Sequence, residues 1–149
     1  MAAPISAAQK RRIESAARRA AQHAYAPYSR FRVGSAILTS SGKIHTGVNV
    51  ENAAYGLCNC AERSAIFSAV TAGERNIKAV VVYTPTSSPT TPCGACRQVI
   101  NEFGADALII GICDSAERIE RRLPDLLADA FGPGNLIKAA NVAPPRKRR

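Results

Sequence analysis

Apolar positions recur along this chain with two different periods. Between Ile5 and Tyr25, the residues Ile13, Ala16, Ala17, Ala20 and Ala24 return at helical spacing, while Lys10, Arg11, Glu14 and Arg18 gather on another face. That pattern predicts an amphipathic helix, stopped by Pro27. Phe31–Ser40 and Lys43–Glu51 are β-rich runs separated by Ser41-Gly42, a hairpin turn signal, and are predicted to pair antiparallel. Helical spacing returns over Cys60–Ala72 through Ala65, Ile66, Ala69 and Val70, with Gly73 as its stop. Ile77–Thr84 is a continuous apolar, β-branched run, the kind found in a strand covered on both faces. After a loop rich in Pro, Ser and Thr, Pro92–Phe103 predicts a helix that buries Val99, Ile100 and Phe103 and ends at Gly104. Ala107–Cys113 reads as a further buried strand, and Leu123–Phe131 as a final helix followed by Gly132-Pro133-Gly134. The order α-β-β-α-β-α-β-α predicts an α/β sandwich of about four or five strands.

A length of 149 residues fits one domain, expected over residues 1–143. The hydrophobic share of 46% against 21% charged excludes a collagen-like or wholly disordered chain. No apolar run approaches the roughly 18 residues of a membrane span, and basic residues interrupt the first segment where a signal peptide would need an apolar core. A cytoplasmic location is therefore expected. The formal net charge of +9 suggests a polyanionic partner until it is located. Residues 1–19 carry a net +4, the tail Arg146-Lys147-Arg148-Arg149 another +4, and residues 20–145 only +1. Nucleic acid is thus not an expected partner, and residues 144–149 are read as a disordered basic tail.

Five cysteines make an odd number, which in a reducing compartment points to metal binding or catalysis instead of a disulfide framework. Cys60 opens one predicted helix in Cys60-Ala61-Glu62, and Cys93 and Cys96 open another in Pro92-Cys93-Gly94-Ala95-Cys96. At i, i+3 the last two point the same way from one helical turn. Three thiolates with one open position are the donor set of a catalytic zinc site, since a closed structural site requires a fourth protein ligand. Three thiolates leave the ion with a net negative charge. Helix N-termini and Arg63 are the available compensation. Glu62, two residues after a ligand, is placed for a general acid/base. Cys58 has the wrong spacing to Glu62 and is read as a loop residue, Cys113 as a small core residue, and His23 and His45 as structural or exposed. The combined spacing, with Pro before the CxxC, matches the signature of zinc deaminases in its three-cysteine form.

Over about residues 5–140 the sequence resembles the small homotetrameric cytidine deaminases. The likeness is carried by Tyr28–Gly34, Gly47–Tyr55, Cys60–Ile66, Pro92–Gln98 and Ala130–Pro133. It implies a three-layer α/β/α sandwich with a mixed sheet and one zinc ion per subunit held by Cys60, Cys93 and Cys96. It also implies a pyrimidine-salvage activity that converts free cytidine and deoxycytidine to uridine and deoxyuridine with release of ammonia. Glu62 is implied to be the proton shuttle. Asn49 and Glu51 are implied to bind the ribose, Phe31 to pack near pyrimidine and sugar, the Ala61 N–H to read the pyrimidine O2, and the Thr91 carbonyl to accept from the departing amine. Tyr55 and Phe131 are implied to reach a neighbouring subunit's site, so that a homotetramer shares its active sites. The residues themselves are compatible with this, because Asn49 and Glu51, two apart at the end of a β-run, share a face and suit vicinal hydroxyls. Phe31 and Phe131 taken alone read as core.

Three other functions share parts of this pattern. A polynucleotide deaminase uses the same zinc chemistry, but a carboxylate at Glu51 beside the sugar leaves little room or charge compatibility for a phosphate backbone. A deaminase of a modified cytosine nucleoside of the blasticidin S type is a closer alternative, against which the Asn49–Tyr55 stretch favours cytidine. A non-enzymatic zinc module lacks its fourth ligand.

Overall fold

A computed structural model describes residues 4–140. The elements are α1 (Ala7–Ala21), β1 (Gly34–Thr39), β2 (Ile44–Val48), a 3₁₀ turn at Tyr55–Leu57, α2 (Ala61–Thr71), β3 (Ile77–Tyr83), α3 (Gly94–Phe103), β4 (Leu108–Ile112), β5 (Arg118–Arg122), α4 (Leu123–Leu126) and α5 (Pro133–Ala140). The five strands form one sheet in the order β2-β1-β3-β4-β5. β3 and β4 run parallel and every other pair is antiparallel.

Side chains alternate across the central strands and so build two cores. Ala36, Leu38, Ala79, Val81, Ile110 and Ile112 face α1, where Ile13, Ala16, Ala17 and Ala21 close on them. Ile37, Val80 and Ile109 face the other way, against Ala65, Ile66 and Ala69 of α2 and Ile100 of α3. The result is the three-layer α/β/α sandwich with a mixed sheet. All six residues of β1 are buried, as a strand covered on both faces requires. The Ser41-Gly42 hairpin is present, with Gly42 at φ +85° and its N–H donating to the Thr39 carbonyl at 3.0 Å.

Several boundaries differ from the sequence expectation. α1 ends at Ala21, short of Pro27, because Tyr25 leaves the helix to bridge Val50. β1 starts only at Gly34, since Arg30 at φ +58° turns the chain and the Phe31–Val33 stretch is bound by the Asn49 side chain instead of by a strand. β5 is an additional strand with the sequence Arg-Ile-Glu-Arg-Arg, whose charges hid it. It lies at the sheet edge, where charge is tolerated. The helix expected over Leu123–Phe131 is a single turn, Leu123–Leu126, after which Leu127 leaves the helical conformation at φ −141°, ψ 75° and Asp129 takes φ +50°. Gly132-Pro133-Gly134, expected to follow a helix, instead starts α5, with Pro133 at its first position, where a missing N–H costs nothing. The basic tail at 144–149 lies outside the described residues.

Charges on α1 are paired along its β5 side: Lys10 with Glu120 at 2.7 Å, Glu14 with Arg118 at 2.8 Å and Arg18 with Asp114 at 3.4 Å. Two glycines set the interlayer distances. A Cβ at Gly34 would fall 2.1 Å from the Ala17 carbonyl oxygen in α1, and one at Gly47 would fall 2.3 Å from the Ala65 nitrogen and 2.5 Å from the Ala61 oxygen in α2. The side-chain hydrogen at Gly47 is thus what lets the first turn of α2 lie directly on β2. Gly47→Ala is expected to lower stability by about 2–3 kcal/mol through overpacking, measured by denaturant unfolding, whereas Gly42→Ser, with open space around it, should cost about 1 kcal/mol, from the left-handed backbone alone.

Candidate metal centre and active site

Each sulfur of the expected ligand set stands at the start of a helix. Cys60 is the N-cap of α2 and Cys93 the N-cap of α3, both extended, and Cys96 lies in the first turn of α3. Neither N-cap side chain turns back to bond its own helix, so both thiols are free to face each other. Their Sγ atoms are 3.8 Å apart, and all three lie within 4.8 Å of one another. Two thiolates on one tetrahedral zinc at ~2.3 Å would stand about 3.8 Å apart. The donor set therefore fits the ion in number, softness and spacing, and among the described residues it is the only group of three such ligands.

The electrostatics favour thiolate at Cys60. The Cys60 thiol is lowered to about 5 by the hydrogen bond from Cys96 and by Arg63, whose Nη2 donates to its sulfur at 3.3 Å. Cys96, as the donor to Cys60 and buried beside Glu62, is pushed upward. Glu62 is 4% exposed, and burial, with the neighbouring Cys60 charge, raises its carboxyl above the ordinary range. A buried carboxyl with raised proton affinity beside the metal centre is what a group that accepts and returns a proton requires.

A cavity of about 420 Å³ opens over this centre, within the range of small-molecule sites. Cys60, Glu62 and Cys93 line it together with Ala61, Thr91, Phe31, Asn49 and Glu51. Asn49 and Glu51 are also braces for the loop after α1. Asn49 Nδ2 donates to the Phe31 carbonyl at 2.7 Å and its Oδ1 accepts from Val33 N at 2.8 Å. Glu51 accepts from the Tyr28 and Ser29 amides at 2.9 and 3.2 Å and from the Ser29 hydroxyl, which with the amides lowers its pKa. These contacts fix the wall that carries Phe31.

Two expected site residues stand apart from this cavity. Tyr55 is 72% exposed and edge-on to Tyr28, and Phe131 is 57% exposed; neither lines the cavity. His23 and His45 do not line it either, Cys113 is buried as expected, and Cys58 sits on the cavity rim with its sulfur accepting from Asn52 N. Sequence reasoning missed Ser29, whose hydroxyl and amide both serve Glu51. It also missed Arg97, which ties Pro92, Thr91 and Leu126 together at 2.8, 3.1 and 2.9 Å. The one signal for Arg97 was its place directly after a ligand.

The family profile described as the cytidine and deoxycytidylate deaminase zinc-binding region matches residues 7–112. The chain belongs to this deaminase family. It is 44% identical over 124 residues to the cytidine deaminase of Sporosarcina psychrophila, covering 83% of this chain and 91% of that one. Against the Mycobacterium tuberculosis cytidine deaminase it is 44% identical over 133 residues, with 89% and 91% covered. The crystal structure of cytidine deaminase from Burkholderia pseudomallei superposes with a TM-score of 0.78 at 47% identity, covering 81% of this chain and 98% of that one. The deaminase takes one zinc ion per chain at Cys60, Cys93 and Cys96.

Cys93→Ala is expected to remove zinc and activity together, read by metal analysis of the purified protein. Arg63→Gln should keep zinc and fold yet lower kcat by roughly tenfold or more, since it withdraws a charge-assisted bond from the Cys60 sulfur. An unchanged kcat would count against charge compensation.

Proposed function

We propose that this enzyme hydrolyses the 4-amino group of free cytidine and deoxycytidine, giving uridine or deoxyuridine and ammonia. The observation that carries the reading is the buried Glu62 carboxyl beside a three-thiolate centre, lining a cavity that the ionised carboxylate of Glu51 also lines. When bound, zinc supplies Lewis-acid activation of the attacking water at near-neutral pH. Glu62 takes the proton of that water and delivers it to N3 of the pyrimidine, which makes C4 electrophilic. The hydroxide so generated adds to C4. Glu62 then takes the proton of the resulting C4 hydroxyl and passes it to the amino nitrogen, the C4–N bond breaks, ammonia leaves and C4=O forms, so one carboxylate serves as base and then as acid. The Ala61 N–H, at the positive end of α2, holds the pyrimidine O2, and the Thr91 carbonyl accepts from the leaving amine.

Asn49 and Glu51 orient the ribose. The acceptor sites of Glu51 left free by Ser29 and Tyr28 suit hydroxyl donors. An ionised carboxylate in this position repels phosphate, which supports a free nucleoside over a nucleotide or polynucleotide. Phe31 covers sugar and base.

The active form in this reading is a homotetramer with shared sites. Its support is apolar surface that one chain leaves uncovered: Tyr55, Leu57 and Phe67 on one side of the sequence and Phe131, Leu136 and Ile137 on the other. Tyr55 and Phe131, exposed and outside their own cavity, serve a neighbour's. Among the described residues no helix is long and apolar enough to cross a membrane. Five unpaired cysteines accord with a reducing, cytoplasmic setting.

Following absorbance while cytidine, deoxycytidine, cytidine monophosphate and a cytosine-containing oligonucleotide are each offered tests the substrate. Turnover confined to the two nucleosides is expected. Glu62→Gln should retain zinc while losing roughly 10²–10⁴ in kcat, and a near-native rate would remove Glu62 from the chemistry. Glu51→Gln should raise KM for both nucleosides.

A further inference from the structure

The helix that supplies two of the three sulfur ligands also holds the segment bearing Phe131. Cys93 caps α3 and Cys96 lies in its first turn, and the side chains of Arg97, Gln98 and Asn101 reach toward the stretch between α4 and α5. Arg97 Nη1 donates to the Leu126 carbonyl at 2.9 Å, at the start of that stretch. At its end, Gln98 Nε2 and Asn101 Nδ2 both donate to the Phe131 carbonyl, at 2.8 and 3.2 Å. Between them the chain has no regular structure and passes through Asp129 at φ +50°. Beyond them Gly132 N donates to the Asn135 side chain at 2.8 Å and α5 begins. Phe131 itself is 57% exposed, so more than half of its surface is left uncovered by the described residues.

We propose that Gln98 and Asn101 are positioning residues for Phe131, holding its backbone so that the ring is presented to the active site of a neighbouring chain. This rests on the reading of shared sites given above. A carbonyl oxygen has two lone pairs, and here two side-chain amides fill both, which fixes the peptide plane from which the ring projects. Both amides come from the helix that starts at Cys93 and Cys96, so the ring offered to the neighbour is held in register with the chain's own metal centre. A ring that packs on substrate before and during reaction contributes uniform binding, and its misplacement appears in KM more than in kcat.

Gln98→Ala and Asn101→Ala test this without touching Arg97, which also braces Thr91 and Pro92. The double variant is expected to raise KM for cytidine about tenfold, each single variant by less, with kcat, zinc content and assembly size unchanged. A native KM overturns the proposal, and so does a fall of kcat or zinc content in step with KM, which marks support of α3 alone. If the double variant does not assemble, the single variants carry the same test. Coexpression with a Glu62→Gln chain supplies the second reading, because native Phe131 segments then sit beside sites that retain Glu62. Recovery of a low-KM component is expected. If KM stays raised while a control mixture of Phe131→Ala and Glu62→Gln chains recovers, the positioning role is overturned. If that control also fails to recover, the shared-site reading itself is wrong and the proposal falls with it.

Discussion

Three sulfur atoms that must carry negative charge are gathered within 4.8 Å of one another, and the rest of the fold is arranged around making that tolerable. Two helices start at the same place, so their unpaired N–H groups face the cluster, and Arg63 adds a full positive charge beside the Cys60 sulfur. Bringing two helix N-termini together needs a rigid platform. The doubly covered strands β1 and β3 supply it, and Gly47 lets α2 settle on the sheet with no side chain between. Glu62 is then carried into a buried position by the turn that places Cys60, so its raised proton affinity is a by-product of the same packing.

The loop side of the cavity follows a different logic. Its polar groups are attached to the loop they support: Asn49 spans Phe31 and Val33, and Glu51 gathers Tyr28 and Ser29. A side chain that binds its own loop is preorganised when substrate arrives, so less ordering entropy is lost on binding. It also means that a change at either residue alters shape as well as chemistry. For the ribose-binding role proposed above, loss of substrate contact and loss of loop geometry would then appear together in kinetic measurements.

The central strands and the metal ligands were legible in the sequence because each depends on local pattern. Continuous β-branched runs mark β3 and β4, and helix starts mark Cys60, Cys93 and Cys96. What was not legible depends on partners distant in sequence. β5 reads as polar chain until Arg121 and Ile119 are seen paired with Ile109 and Gly111. The break after Leu126 is set by a non-helical Leu127, a left-handed Asp129 and carbonyls held from α3, none of which helical periodicity reports. The bracing roles of Asn49, Glu51, Ser29 and Arg97 are contacts across loops, which residue type alone does not disclose. Phe31 and Phe131 read as core because an exposed aromatic and a buried one look alike in sequence.

The charged edge strand has a bearing on how chains of this protein meet. β5 closes the sheet with Arg118, Arg121 and Arg122 around one glutamate, and Arg118 is held by both Glu14 and Glu120. Another strand docking alongside would have to desolvate this row of cations and disrupt its ion pairs. Open-ended growth of the sheet from one molecule to the next is thereby discouraged at this edge. In the shared-site reading proposed above, contact between chains falls instead to exposed apolar residues such as Tyr55, Leu57 and Phe131, and a closed assembly follows from that proposal.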